Sequence, residues 1–188
     1  MANGGNGDIG EWRSQGRPTL MDKFEVDCFK AGDAITSDKF PEFDRQLQGQ
    51  QDGLNDMTVQ EYLDGRAKYK DIGRGDGKAQ RTARKKLKIK LIREYKKQAQ
   101  KIGLMGEAAK AYAENKTSTE MATLAALHNP DMIAGGKDMV EVLGDRGVNS
   151  SIGSQWRHRI DKLDNAAEAV PVNERGATSM NVALSRCK

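Results

Sequence analysis

The feature that most constrains this chain is a window from Lys78 to Lys101 with no Gly or Pro and an unbroken apolar spacing. Ala79, Ala83, Leu87, Leu91, Tyr95 and Ala99 recur every four residues, with Ile92 and Ile102 widening the stripe. That recurrence is helical spacing. The window therefore predicts one amphipathic helix of about six to seven turns, at ~3.6 residues per turn. Gly103 ends it. The same window holds eleven Lys or Arg against one acid, Glu94, a net of +10, which leaves −6 on the rest of a chain whose total is +4. A mild overall charge hides one strongly basic element on an acidic body. Arg81, Arg84, Lys85 and Lys88 on its flanks suit contacts with a nucleic-acid backbone. A solvated face, or a face covered by an acidic partner protein, accounts for the same charges.

The remaining strong signals are also helical. Phe40, Phe43 and Leu47 predict a helix over 39–52, capped by Asp38, with Pro41 in its first turn and Gly53 after it. Thr58 and Glu61 form a capping box that starts a second helix burying Val59, Tyr62 and Leu63. Residues 71–77 are a Gly-rich break. A helix follows over 104–115, and Thr117 with Glu120 reads as another capping box opening a helix through Leu127. Pro130 cannot continue that helix and suits a new turn with Asn129 as its cap, stopped by Gly135 and Gly136. After a loop over 144–151, Ile152, Trp156, Ile160, Leu163 and Ala167 mark a last helix over 150–168. The alternating run at 24–29 and the tail at 180–187 read as short strands or extended arms. The expectation is a mainly α fold: a single compact helical domain with one or two short strands or arms.

Composition sets limits on function. Of 188 residues, 37% are hydrophobic, below the usual ~45–50%. The core should be thin and the tails polar. Residues 1–22, rich in Gly and Asn, read as a flexible linker, leaving 23–188 as the domain. No apolar run is long enough to span a membrane. The start of the sequence lacks the basic and apolar regions of a signal peptide. No P-loop, GxGxxG, HExxH or GxSxG pattern is present. Two cysteines, Cys28 and Cys187, lie near opposite ends. Reduced thiols are the default reading in a cytosol; a bridge tying the chain ends together is the other.

Few residues carry chemistry. His128 stands three residues before Asp131 across the Pro130 break. A helix end there favours a protonated imidazole. A placed imidazole takes a proton from water, and a carboxylate orients it or holds a metal. His-x-x-Asp spacing alone is common. Asn149, Ser150 and Ser151 at the start of the last helix offer amides and hydroxyls to an anion, with Gln155 a turn further in; simple capping explains the same residues. Arg157 and Arg159 suit a phosphate clamp or solvated charge, and His158 suits the surface.

LHNPDMIAGG from Leu127, then GDRGVNSSIGSQW and RIDKLDNAA, closely resembles the novel toxin 15 domain of bacterial polymorphic toxins, a family marked by an HxxD motif. RQLQGQQDGLNDMTVQEYL and FEVDCF extend the likeness to roughly residues 24–187. The resemblance implies a metal-assisted nuclease using magnesium, with His128 as general base and Asp131 orienting it or binding the cation. It implies a DNase effector of type VI secretion, made in the cytoplasm without a signal peptide and acting in the target cell's cytoplasm. A delivery component of the secretion system and a cognate immunity protein are the implied partners. Asn149, Ser150, Ser151, Gln155 and Arg159 would position the phosphate, and the basic helix would hold the DNA backbone. An RNase of the same fold, acting on tRNA or other RNA, is the nearest alternative, and a non-catalytic basic binding module is another.

Overall fold

A computed structural model of the chain describes residues 19–140 and 142–188, so residues 1–18 of the expected linker lie outside the described residues. In chain order come β1 (Thr19–Leu20), β2 (Phe24–Glu25), α1 (Phe40–Asn55), α2 (Val59–Ile72), α3 (Lys78–Lys101) and α4 (Gly106–Thr123). Then follow β3 (Leu124–Leu127), β4 (Val142–Asp145), α5 (Arg146–Trp156), α6 (Ile160–Glu168), β5 (Thr178–Ser179) and β6 (Val182–Ala183). The fold is mainly α, as the spacing predicts, and its strands form three separate two-stranded pairs.

Local signals explain most helix ends. The basic window is one helix with the predicted bounds. The Thr58 capping box closes in both directions: the Glu61 amide donates to Thr58 Oγ1 and the Thr58 amide to Glu61. The break expected over 71–77 begins only after α2 ends at Ile72, and in that loop Gly73, Gly75 and Gly77 all have positive φ. Asp38, expected to cap α1, lies instead in a short 3-10 turn, Ser37–Lys39. α1 then runs through Gly53, because a helical Gly costs only about 1 kcal/mol and Leu54 beyond it is fully buried.

Two expectations are corrected. Thr117 opens no helix: α4 is continuous from Gly106, and Thr117 lies buried inside it. Nothing between residues 115 and 117 breaks the helix, so the capping-box pattern had no helix end to cap. Leu124–Leu127 is then strand rather than helix, paired antiparallel with β4 from Leu124↔Asp145 to Leu127↔Val142. The last helix is likewise two. Asp145 accepts from the Val148 amide and starts α5 earlier than predicted, and the chain turns at residues 157–159 before α6.

The core gathers around Trp156. Phe43, Leu47 and Leu54 of α1, Tyr62 of α2, Val148 and Ile152 of α5, and Leu163 and Ala167 of α6 form one buried cluster. Trp156 donates its indole N–H to the buried Gln50 and meets the edge of Phe29 at 5.2 Å between ring centres. Arg66 grips Asp164 through two bonds of 2.8 and 2.9 Å, and the Tyr62 hydroxyl donates to the same carboxylate. Burial pushes the Asp164 carboxyl up, but the bonds from Arg66 and Tyr62 outweigh it and hold the group below the usual carboxylate range. Burial and the bond to Asp164 push the Tyr62 phenol far up.

The termini close this half of the molecule. β1 pairs parallel with β5, β2 with β6, and Phe29 bridges to Arg186. Thr19–Asp22, within the stretch read as linker, thus begin the arm. Cys28 and Cys187 are disulfide-bonded across a sequence separation of 159. The default reading of two reduced thiols is corrected: the arm and tail run side by side and bring the two Cα atoms within 5.0 Å.

Candidate active-site cleft

The HxxD segment is the link between β3 and β4, and close backbone packing fixes it. Asn129 and the Pro130 nitrogen press on Gly53 of α1, where any Cβ would collide with the Asn129 carbonyl. Gly135 presses on Gly65 of α2 in the same way. These two glycines let a loop sit directly on two helices. Arg66 adds a 2.6 Å bond to the Ile133 carbonyl. Asp131, rather than the expected Asn129, caps the short 3-10 turn Met132–Ala134, by accepting from the Ile133 amide. Gly135 ends that turn at φ 81°.

His128 is the first residue after β3, not the end of a helix, so no helix dipole acts on it there. The ring is buried and held at both nitrogens. Nδ1 lies 2.9 Å from the Met139 carbonyl and Nε2 lies 2.7 Å from the side-chain nitrogen of Gln80. Asp131 is also buried, and Arg74 approaches both its oxygens at 3.3 and 3.5 Å. No hydrogen bond joins His128 to Asp131 among the described residues.

Both side chains line one cleft of about 310 Å³, together with Arg74, Gln80, Arg84, Leu124, Ala125, Ala126, Arg146 and Asn149. Three guanidinium groups therefore share this cleft with the imidazole and the carboxylate. Arg84 of α3 is tied down by the carbonyls of Met121 and Leu124, and Arg146 of α5 reaches the same Leu124 carbonyl at 3.5 Å. Arg74 stands in the Gly-rich loop with its side chain 57% exposed and pairs with Asp131.

The expected phosphate-positioning residues divide. On α5, Arg146, Asn149 and Gly153 share a face, because residues three and four apart lie over one another. That face meets the cleft: Asn149 lines it, and Gly153 approaches Asp131. Ser151 and Gln155 point away. Ser151 donates to the Lys30 and Ala31 carbonyls, and Gln155 brackets the Lys30 backbone with one bond each way. Arg159 donates to the Asp27 and Cys28 carbonyls and stacks on Phe29 at 4.5 Å. These three hold the N-terminal arm. Ser150 is exposed and does not line the cleft. The exposed amides expected at 149–151 are absent, since the helix starts at Arg146 and its first free N–H groups precede Asn149.

The basic-helix residues also divide. Arg84 reaches the cleft, whereas Lys85 and Lys88 line a groove against α4 with Glu114 and Ser118. Arg81 donates to the Asp76 carbonyl in the loop before the helix. Sequence reasoning missed Arg74, Gln80 and Arg146. The first lay in a segment read as a spacer, and the others looked like ordinary helix and loop residues.

The donor set suits a sparsely held cation. Among the described residues no three His, Cys, Asp or Glu side chains converge. One carboxylate, Asp131, faces the cleft. Magnesium keeps several waters and binds through one or two carboxylates plus substrate phosphate oxygens, a demand that one Asp in an arginine-lined cleft fits. No helix among the described residues is long and apolar enough to cross a membrane.

A family model described as Novel toxin 15 matches residues 37–185, from before α1 to beyond β6 and including the whole cleft. No curated protein matches the chain.

Proposed function

The chain belongs to the Novel toxin 15 family of toxin domains, and on that premise we propose that it is an interbacterial effector that hydrolyses DNA phosphodiester bonds. One observation carries the reading: His128 and Asp131 line a single cleft with three arginines from three different elements. Guanidinium groups match phosphate oxygens in shape and charge. An imidazole beside them is placed to deprotonate water.

In this reading His128 Nε2 takes a proton from water, and the water oxygen bonds to phosphorus. The bond from phosphorus to the leaving sugar oxygen breaks with its electron pair, and that oxygen takes a proton from solvent. Arg84, Arg146 and Asn149 hold the phosphate. The ring's observed bonds come from Met139 and Gln80, which favours Asp131 as the cation ligand over an orienting role. Asp131 would hold a divalent ion, magnesium by chemistry, whose charge would offset the negative charge growing on the phosphate. Lys85, Lys88 and the outer face of α3 attract the DNA backbone without reading sequence. Delivery by a type VI system, action in the target-cell cytoplasm and neutralisation by an immunity protein belong to the same proposal.

Incubating supercoiled plasmid with the full chain, with magnesium and with EDTA, is the test. Cleavage should require the cation, and His128→Ala should lower it about 10²–10⁴-fold. Total RNA and tRNA run in parallel. Cleaved RNA beside intact plasmid would move the substrate to RNA. Salt-sensitive DNA binding with no cleavage at any metal condition would leave only a binding module.

A further inference from the structure

The amide of Gln80 occupies the place where the proposed chemistry needs a water. A carbonyl only accepts, so the 2.9 Å contact with Met139 puts the ring proton of His128 on Nδ1. The neutral ring then carries its lone pair on Nε2, the nitrogen that meets Gln80 at 2.7 Å. Only the NH2 end of an amide donates to a lone pair, so the nitrogen of Gln80 faces the ring. Its Oε1 is left buried with no hydrogen-bond partner among the described residues. A buried amide oxygen without a donor marks a site where a small donor is missing.

We propose that Gln80 is the positioning residue for the attacking water, an inference that rests on His128 being the general base. The amide nitrogen stands at hydrogen-bond distance from Nε2, where the water oxygen has to sit to lose its proton. When substrate and water enter, the amide turns aside and its Oε1 accepts the second O–H of that water. The first O–H faces Nε2. The oxygen lone pair is thereby aimed into the cleft, toward the phosphate held by Arg84 and Arg146. Gln80 belongs to the first turn of the basic helix, so the element that draws in the backbone also places the nucleophile.

The test compares Gln80→Ala with Gln80→Met in the full chain. Met restores the volume of Gln without its polar atoms. Both variants should lose about 10²-fold in kcat with KM within about threefold of wild type, the pattern of a misplaced reacting group rather than of lost substrate binding. Acylation by diethyl pyrocarbonate, read by mass spectrometry, gives a measure independent of nuclease activity. His128 should acylate faster in both variants than in wild type, with exposed His158 as the internal reference. Recovery of kcat in Gln80→Met, wild-type kcat in either variant, or equal His128 acylation in all three proteins would overturn the assignment. If the wild-type chain cleaves no nucleic acid, the base reading and the positioned water fall together. The acylation rates then still report whether Gln80 covers Nε2.

Discussion

Around Trp156, buried side chains arrive from the N-terminal arm, four helices and the C-terminal tail. Along α3, by contrast, only Leu91 and Ala99 are buried. No residue of α3 or α4 belongs to the main core cluster. The hairpin of α3 and α4 is held by its own narrow seam and by arginine bonds to backbone carbonyls, such as those from Arg84. The difference separates two jobs. The core half fixes the HxxD segment by backbone contact at Gly53 and Gly65, while the lightly anchored hairpin brings Gln80 and Arg84 to the same cleft. A catalytic pair on a rigid base, met by positioning groups on a looser arm, is an arrangement in which substrate contact along α3 can adjust the site.

The comparison breaks most visibly through the core. Trp156→Ala should cost about 3–5 kcal/mol by transfer loss plus cavity. Asp164→Asn should cost a similar ~3–5 kcal/mol, because Arg66 is left buried without its counter-charge. Both should appear as a single cooperative shift in denaturant unfolding. Leu91→Ala should fall at the low end, about 2 kcal/mol, and show in hydrogen exchange as opening confined to α3 and α4. The Asp164 term has a pH signature. Its folded pKa is depressed, so its stabilisation is complete above the unfolded value of ~3.9 and is lost as pH falls through the folded value. The gap between wild type and Asp164→Asn should therefore begin to narrow below about pH 4 and close only once pH has passed the folded value. A gap that does not narrow at all as pH falls below about 4, or a Leu91→Ala loss as large and as global as that of Trp156→Ala, would erase the distinction between the two regions.

The clasp gives the next effect. Joining Cys28 to Cys187 closes nearly the whole chain into a loop, and a disulfide of this kind typically contributes about 2–4 kcal/mol. Reduction, or Cys28→Ser with Cys187→Ser, should lower the melting temperature while the far-UV circular dichroism at 25 °C stays that of the folded chain. The loss should fall on the arm and tail, where β1–β5 and β2–β6 contribute only two residues per strand. Exchange protection at Phe24, Val26 and Phe29, whose amides bond to the tail, should fall before that of α1 or α5. Protection lost first in α3 would place the clasp's influence in the wrong half.

How far each region was legible follows the same division. The α3 boundaries were readable because 24 residues repeat one spacing without a breaker, and Thr58 with Glu61 was readable because a capping box is purely local. His128 and Asp131 could be paired from sequence, since three residues separate them. Arg74, Gln80 and Arg146 could not, because only the tertiary meeting of the Gly-rich loop, α3 and α5 gathers them. Gln155 and Arg159 carried the right chemistry for a phosphate but spend it on the backbone of residues 27–30, a contact across more than a hundred residues of sequence. Leu124–Leu127 read as helix because its apolar residues continue the α4 spacing. The strand wins through pairing with β4, which no local pattern announces.

Thr117 offers the smallest effect and the sharpest sign. Its hydroxyl is buried within α4 and has no hydrogen-bond partner among the described residues. Val has nearly the same shape and the same β-branch, so Thr117→Val changes little besides removing that hydroxyl. Where a hydroxyl is buried unsatisfied, its removal should stabilise, here by up to about 1 kcal/mol. Were Thr117 the cap of a separate helix, as the TSTE pattern alone suggests, the same substitution would destabilise by about 1 kcal/mol. Chemical denaturation of the two proteins decides between a gain and a loss. A gain also locates where the hairpin carries slack, since its seam then holds an orphaned polar atom at a cost that Val removes.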